Sequence, residues 1–260
     1  MKFTISAGAA THIGRRSNNE DQCLSAPTLG LFAVADGMGG YEGGEVAAKL
    51  AVDALREFYQ RNRSEDDCTW PFGLDPQRSL AENMLAVATK LANARVAAGR
   101  AGRLKAMGST VATLVTEGDR AIIAHVGDSR VYRVRGGQLA ALTRDHSLYE
   151  ELRAMGSQVG DRASFPHANV ITRALGMSPA VKVDTRTEAL AAGDVFVLCT
   201  DGLYDLVAAP RVVTLVTEAS PADAAARLVH EAYENGSKDN ITAVVVRVDA
   251  APSALGSPPG

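Results

Sequence analysis

Five short acidic motifs are spread along this chain, and most of them lie beside a glycine or an asparagine at a predicted strand end. They are Asn19-Glu20-Asp21, Asp36-Gly37-Met38-Gly39-Gly40, Gly127-Asp128-Ser129-Arg130, Thr200-Asp201-Gly202 and Lys238-Asp239-Asn240. Strand ends that are distant in sequence can converge in space, and converging carboxylates repel one another unless something neutralises them. Hard divalent cations bound through oxygen neutralise them economically. A carboxylate-held metal pair without thiolate or imidazole ligands points to phosphoester chemistry.

Two of these motifs carry the strongest signal because each follows an apolar, strand-like run. Asp36 ends one such run, and Gly37 lets the backbone carbonyl turn toward the ion that the Asp side chain would bind. Asp201-Gly202 repeats the arrangement after a second run. Taken singly, each Asp is explained as a turn or a helix cap. Taken jointly, the acids favour a metal site; the set is Glu20, Asp21, Asp36, Asp128, Asp201 and Asp239.

Arg16 is the candidate phosphate ligand. An acidic metal site alone repels phosphate, and a nearby guanidinium would bind phosphate oxygens in a bidentate way. From the local sequence alone, a solvated surface charge is an equally good explanation of this residue. The five histidines lack the spacing of a zinc-binding helix. The chain also lacks a nucleophile elbow and a Walker loop, so serine hydrolases and P-loop kinases are excluded at the level of motifs.

The composition bounds the class of protein. The chain has 260 residues, a net charge of −3 and 46% hydrophobic residues, which is typical of a globular protein with a sizeable core. The charge gives no attraction for nucleic acid or anionic membranes. Neither a signal peptide nor an apolar run of membrane-spanning length is apparent. With three cysteines and no paired spacing, we expect reduced thiols and a cytoplasmic protein that binds neither nucleic acid nor membranes.

Hydrophobic periodicity predicts the elements that must position these residues. Strands are predicted near 3–9, 31–35, 111–115, 121–126, 131–134, 139–142, 181–189, 194–200 and 241–248, and helices near 43–61, 79–99, 147–155, 209–217 and 221–235. Short turns between the four central strands predict one antiparallel meander. We therefore predict an α+β fold, a four-layer α/β/β/α sandwich of two antiparallel sheets flanked by helices. A single domain would span 1–249, with a flap at about 147–180 and a disordered tail at 250–260.

With these residues assembled, the chain resembles the metal-dependent protein Ser/Thr phosphatases of the type 2C (PPM) family, and most of all their compact bacterial members. The resemblance covers about residues 8–248 and keeps the family's motif order. The motifs are Arg16-Ser17-Asn18-Asn19-Glu20-Asp21, Val34-Ala35-Asp36-Gly37-Met38-Gly39-Gly40, Gly108-Ser109-Thr110, Val126-Gly127-Asp128-Ser129-Arg130, Leu142-Thr143-Arg144-Asp145-His146-Ser147, Thr200-Asp201-Gly202-Leu203 and Asp239-Asn240-Ile241-Thr242.

The resemblance implies two Mn²⁺ or Mg²⁺ ions at one end of the sandwich. By motif match, Asp36 would bridge the two ions, and Asp201 with Asp239 would complete the shell of one of them. The carbonyl of Gly37 would serve the other ion, together with either acid of the Glu20-Asp21 pair, directly or through water.

The resemblance also implies roles outside this pair. Asp128 with Asp201 would form a weaker third metal site, and Arg16 would bind the substrate phosphate. Some relatives carry a histidine where this chain has Met38, so a histidine acid is excluded at that position. The predicted flap corresponds to a variable segment of the family, from which no substrate contacts can be transferred.

The implied activity is hydrolysis of phosphoserine and phosphothreonine in proteins by a metal-activated water, without a phosphoenzyme. The implied partners are phosphorylated protein substrates of a Ser/Thr kinase in the same bacterial signalling system, and we expect a monomer. Two alternatives stay open at this point. One is a catalytically silent, phosphatase-like binding module, and the other is a phosphatase of small phosphoesters.

Overall fold

The structure is a computed structural model that describes residues 3–39, 43–62 and 71–251. Within this part of the chain the strands are β1 (Phe3–His12), β2 (Asp21–Ala26), β3 (Leu31–Met38), β4 (Gly108–Ser109), β5 (Val111–Glu117), β6 (Arg120–Val126), β7 (Arg130–Arg135), β8 (Gln138–Ala141), β9 (Asp184–Ala189), β10 (Val195–Cys199) and β11 (Ile241–Ala250). The α-helices are α1 (Gly43–Asn62), α2 (Leu80–Ala98), α3 (Leu148–Ala154), α4 (Asp201–Tyr204), α5 (Ala209–Glu218) and α6 (Pro221–Glu234). All the helices predicted from periodicity are present within a residue or two.

Two antiparallel sheets lie face to face. The first has the strand order β1-β11-β10-β7-β8 and the second the order β2-β3-β5-β6-β9, with the short β4 paired to β3. Helices α5 and α6 pack on the outer face of the first sheet, and α1 and α2 on the outer face of the second. The predicted four-layer sandwich is therefore confirmed.

Three apolar layers hold the sandwich together. One lies between the sheets and contains Phe32 and Phe196, both fully buried. The other two lie between each sheet and its helices, around Leu55 and Leu228. Central strands such as β10 are covered on both faces, which is why their sequences are continuous apolar runs instead of alternating ones. Such strands hold their ends rigidly, and the acidic motifs lie at those ends.

The prediction of one continuous meander is wrong at its middle connection. The hairpins β5–β6 and β7–β8 form as predicted. However, β6 pairs with β9 in the second sheet, whereas β7 pairs with β10 in the first. The chain therefore crosses between the sheets at Gly127–Ser129, and Asp128 and Ser129 are buried there. This crossing moves Asp128 from an outer turn into the interior.

The predicted flap segment is closed on itself near its start and is joined to β4 near its end. Isolated β-bridges join Ser147 to Ile171 and Ser109 to Leu175. The strand that follows begins at Asp184, three residues later than predicted. The last strand extends through Ala250, and positions 252–260 of the predicted tail lie outside the described residues, as do Gly40 and Cys68. No helix in the described ranges has the length and apolarity required to span a bilayer.

Candidate metal and phosphate site

The structure brings five separated aspartates to one end of the sandwich. Asp21 opens β2 and lies directly opposite Asp36 of β3 in the antiparallel register. Asp128 lies in the crossing between the sheets, and Asp201 begins α4 immediately after β10. Asp239 precedes β11. Each sheet therefore contributes carboxylates to a common pocket, because their central strands end on the same side.

Mutual repulsion shows how close these carboxylates are. Asp36 is half-buried, and its pKa is raised well above the ordinary value, first by desolvation and then by the charges of Asp21, Asp201, Asp128 and Asp239. The first of these neighbours, Asp21, is itself buried, and desolvation is the main reason that its pKa rises to about 7. In the absence of a cation, this pocket therefore holds protons on groups that ordinarily ionise near pH 4.

Asp128 and Asp201 form the second half of the acidic pocket. Desolvation followed by the charge of Asp201 raises the pKa of Asp128 to about 7. Desolvation followed by the charge of Asp239 raises the pKa of Asp201 to about 6. The two groups repel each other, as expected of the pair predicted to share a third ion.

Glu20 lies between this pocket and the start of α1. Its backbone carbonyl accepts a hydrogen bond from the N–H of Gly37 at 3.1 Å. The backbone N–H of Gly44, in the first turn of α1, stabilises the charged form of its carboxylate, but desolvation outweighs this and raises the pKa. A Cβ atom added to Gly44 would lie 2.5 Å from Cδ of Glu20 and 2.7 Å from the carbonyl carbon of Gly37. The two groups predicted to serve the same ion therefore lie at the same turn of α1.

The donor set fits divalent cations. Oδ1 of Asp21 and Oδ1 of Asp201 are buried carboxylate oxygens without a hydrogen-bond partner among the described residues. A buried, unpartnered carboxylate oxygen is strongly unfavourable unless a cation occupies the space beside it. The donors are all oxygens, the type that Mg²⁺ and Mn²⁺ prefer.

Arg16 lies at the edge of this pocket and contacts its least enclosed acid. Its Nη2 donates to Oδ2 of Asp239 at 2.6 Å, and its Nε donates to the carbonyl of Lys238 at 3.3 Å. The Arg16 side chain is 55% exposed and that of Asp239 37% exposed. An arginine anchored on one side and open to solvent on the other is suited to receiving an anion from solution.

Two buried hydroxyl relays hold the acids in place. The Thr200 hydroxyl donates to Oδ2 of Asp21 at 2.9 Å and itself accepts from the N–H of Thr242 at 3.1 Å. The Thr110 hydroxyl accepts from the N–H of Asp36 at 3.0 Å and bonds the Ser129 hydroxyl at 2.7 Å. No role was predicted for these hydroxyl residues, although Thr110, Ser129, Thr200 and Thr242 all stand inside the quoted motifs.

A cleft of about 690 Å³ adjoins the pocket between α4 and the flap segment. Tyr204 of α4 lies on its wall with the guanidinium of Arg130 stacked 3.6 Å from the ring centroid. Arg130 is held in turn by two hydrogen bonds to Asp145, at 2.8 and 2.7 Å. Phe165 and His167 of the flap segment complete the opposite wall. Tyr204 belongs to the same short helix as Asp201, so the cleft opens beside the acids.

A second cluster of metal-ligating residue types lies apart from the aspartates. The nearest nitrogen and oxygen atoms of His125, His146 and Asp184 lie within 4.8 Å of one another. His146 accepts from the N–H of Gly127 through Nδ1 and donates to Asp184 through Nε2, and His125 donates to the Arg144 carbonyl through Nε2. Three of the four ring nitrogens are therefore in use, and hydrogen bonds within the protein hold both histidine rings.

A two-sheet sandwich with a carboxylate pocket at one end defines the class: an α+β protein equipped to bind divalent cations through oxygen. Residues 9–231 match the family model of Protein phosphatase 2C, and the chain belongs to that family. The resemblance found in the sequence is thereby confirmed.

Named relatives extend this result over most of the chain. Serine/threonine protein phosphatase PstP of Mycobacterium tuberculosis (strain ATCC 25618 / H37Rv) is 34% identical over 236 residues, which are 90% of this chain but only 43% of PstP. Protein phosphatase PhpP of Streptococcus pneumoniae serotype 2 is 30% identical over 246 residues, 92% of this chain and 96% of PhpP. The crystal structure of the PstP catalytic domain in complex with two manganese ions has a TM-score of 0.80 and 30% identity, covering 96% of this chain and all of that one. The chain thus spans less than half the length of PstP.

Proposed function

We propose that this protein is a metal-dependent phosphatase that hydrolyses phosphoserine and phosphothreonine in proteins. The observation that carries the proposal is the acidic pocket, in which desolvation and neighbouring carboxylates raise the pKa of Asp21, Asp36, Asp128 and Asp201. Two buried carboxylate oxygens in it have no hydrogen-bond partner among the described residues. The family relationship supports the same activity. A silent binding module would gain nothing from retaining such a costly set of buried charges.

The match to the family's motifs suggests the ligands, and the gathering of these carboxylates in one pocket supports it. Asp36 would contact both ions, with Asp201 and Asp239 on one of them and the Gly37 carbonyl on the other. Glu20 or Asp21, directly or through water, would also serve this second ion, and Asp128 with Asp201 would offer a third site. When bound, Mn²⁺ or Mg²⁺ ions lower the pKa of water to near 7 and polarise a phosphoryl oxygen. The manganese-bound PstP structure supports this choice of metal.

The residues of the chain supply the remaining parts of the reaction. Arg16 would bind two phosphoryl oxygens by turning part of its guanidinium away from Asp239, and it would orient the phosphorus toward the acids. Met38 carries no exchangeable proton, so the departing serine or threonine oxygen receives its proton from another group. The cleft beside Tyr204 would hold the substrate's peptide chain.

The remaining parts of the proposal concern the cell. We place the catalytic domain at residues 1–249 followed by a tail at 250–260, and we infer a cytoplasmic, monomeric protein. Its substrates would be the products of a Ser/Thr kinase of the same bacterial signalling system. Bacterial relatives named Ser/Thr phosphatases support this inference.

The activity is tested with a phosphothreonine peptide and p-nitrophenyl phosphate, each assayed in EDTA, in Mg²⁺ and in Mn²⁺. We expect turnover of both substrates with either metal and a loss of at least about 10³-fold in EDTA, because two charges that stabilise the transition state by several kcal/mol are removed. Turnover of p-nitrophenyl phosphate alone would favour a phosphatase of small phosphoesters. No turnover of either substrate would favour the silent module.

The role of Arg16 is tested by Arg16→Ala. Charge-assisted hydrogen bonds of this kind contribute about 1.5–3 kcal/mol, so we expect kcat/KM for the phosphopeptide to fall about 10- to 100-fold, mainly through KM. The control is Arg15→Ala, since Arg15 is an exposed neighbour with no ion pair or hydrogen bond to any described residue. Equal kinetics in the two variants would refute the assignment of Arg16.

A further inference from the structure

The side chain of Asn240 is a buried hub next to the acidic pocket. It is 5% exposed, and all the groups it offers are used. Its Nδ2 donates to the carbonyls of Ile13 and Asn18, both at 2.9 Å. Its Oδ1 accepts from the N–H of Glu20 at 2.8 Å. One amide side chain therefore fixes the beginning and the end of a single segment, residues 13–20.

That segment needs an external support because it has no helix or strand of its own. Residues 13–20 connect β1 to β2 as turns and bends. The backbone bond recorded inside it, from the N–H of Arg16 to the carbonyl of Ile13, is long at 3.3 Å. Backbone groups that lack secondary-structure partners must find others, and Asn240 provides three of them. The conformation of the segment thus depends on a residue more than 200 positions away.

The position of Asn240 is itself fixed by close backbone approaches on two sides. A Cβ atom added to Gly14 would lie 1.8 Å from the Asp239 carbonyl oxygen, and Gly14 has a φ of +63°. A Cβ atom added to Gly202 would lie 2.0 Å from the Asn240 carbonyl oxygen. The start of β11 is therefore packed tightly between residues 13–20 and α4. The side-chain amide of Asn240 consequently has little freedom to move.

We propose that Asn240 is a positioning residue that holds residues 13–20 so that the Arg16 guanidinium faces the phosphate subsite. The proposal rests on the proposed function for its kinetic test, but its structural content is independent of any activity. The Asp239-Asn240 pair would then combine two tasks: Asp239 serves the metal, and Asn240 sets the geometry of the phosphate ligand. The Arg16–Asp239 bond is the point where the two tasks meet.

The kinetic test is a double-mutant cycle between Asn240→Ala and Arg16→Ala at saturating Mn²⁺. If Asn240 acts through Arg16, Asn240→Ala alone raises KM for the phosphothreonine peptide and Ki for inorganic phosphate about tenfold, with a smaller change in kcat. Added to Arg16→Ala, it raises Ki by less than about twofold, because the group that it positions is already gone. Additive effects on Ki would overturn the proposal.

Asn83 offers a matched control. It is 6% exposed, and its amide likewise joins a loop, donating to the carbonyls of Asp75, Arg78 and Ser79 and accepting from the N–H of Asp75. It lies at the start of α2, on the helical layer of the second sheet. We expect Asn83→Ala to lower the thermal stability comparably and to leave Ki for phosphate unchanged. An equal rise in Ki would show that any lost buried asparagine has this effect.

Hydrogen–deuterium exchange tests the proposal without activity. Asn240→Ala should speed exchange at residues 13–20 by about tenfold or more, whereas Asn83→Ala should not. Asn240→Asp, which keeps the acceptor for the Glu20 N–H but loses both donors, serves as the second variant if Asn240→Ala does not fold. If the wild type is inactive, the proposed function fails, but the exchange measurement still tests whether Asn240 holds residues 13–20 in place. Unchanged exchange at residues 13–20 in the folded variant would overturn the positioning role.

Discussion

Asparagine in place of Asp36 is expected to lower kcat/KM by at least about 10³-fold and, at the same time, to raise the thermal stability of the metal-free protein. The activity falls because Asp36 is the carboxylate placed to contact both ions, whose stabilisation of the transition state amounts to several kcal/mol. The stability rises because the substitution removes a carboxyl group whose ionised form is opposed by desolvation and four neighbouring aspartates, so folding no longer has to protonate it. Each kcal/mol gained would raise Tm by about 2–4 °C. Assays with Mn²⁺ and melting curves in EDTA measure the two effects.

The control for this prediction is Asp194→Asn. Asp194 is fully buried, but Arg135 neutralises it through two hydrogen bonds, each 2.6 Å long. Removing its charge leaves the arginine unpaired, so we expect a lower Tm and nearly normal activity. Two aspartates of the same fold should therefore respond to the same substitution with opposite signs of stability. A fall in Tm for Asp36→Asn in EDTA would show that its charge is compensated within the protein.

The apolar runs made the fold predictable. Strands covered on both faces must be apolar at every position, so the end of such a run lies at or near a strand end. β10 ends just before Asp201, whereas β3 continues two residues beyond Asp36 to Met38. The helices were predictable from a different pattern, because each helix buries one face and its apolar residues therefore recur every three or four positions. Convergence of the acids followed from placing strand ends together, and the resemblance to a family supplied the remaining assignments.

Other features depend on pairings that no local pattern contains. The strand β2 has too few apolar residues to be recognised, yet it places Asp21 opposite Asp36. The crossing at Asp128 has the sequence of a hairpin turn, and only the pairing of β6 and β7 with different partners shows that it changes sheets. The hydrogen bond from Thr200 to Asp21 and those of the Asn240 side chain join residues 179 to 227 positions apart. Contacts of this range are decided by the whole fold.

The metal-free protein is expected to lose stability as the pH rises from about 6.5 to about 8. Asp21 and Asp128 have a folded pKa of about 7 against an ordinary value of 3.8, so in this range the folded state holds protons that the unfolded state has lost. The free energy of unfolding therefore falls with rising pH, by about 1–2 kcal/mol over this range for the two groups together. Urea unfolding in EDTA at several pH values measures the slope.

The pH range matters because another group has the opposite effect below it. The pKa of His125 is lowered to about 4, mainly by desolvation, so its contribution to stability is lost as the pH falls from about 6.5 toward 4. Asp128→Asn is the direct check, since it should reduce the fall between pH 6.5 and 8 by the contribution of Asp128, about 0.5–1 kcal/mol. Saturating Mn²⁺ should flatten the slope in the wild type, because the cation keeps the carboxylates ionised and competes with protons for them. A wild-type stability that is constant or rising over this range in EDTA would mean that the acids do not share one pocket. If Mn²⁺ abolishes the pH dependence of the unfolding free energy in the wild type but Asp128→Asn leaves that dependence unchanged in EDTA, the titrating groups are the other acids of the pocket.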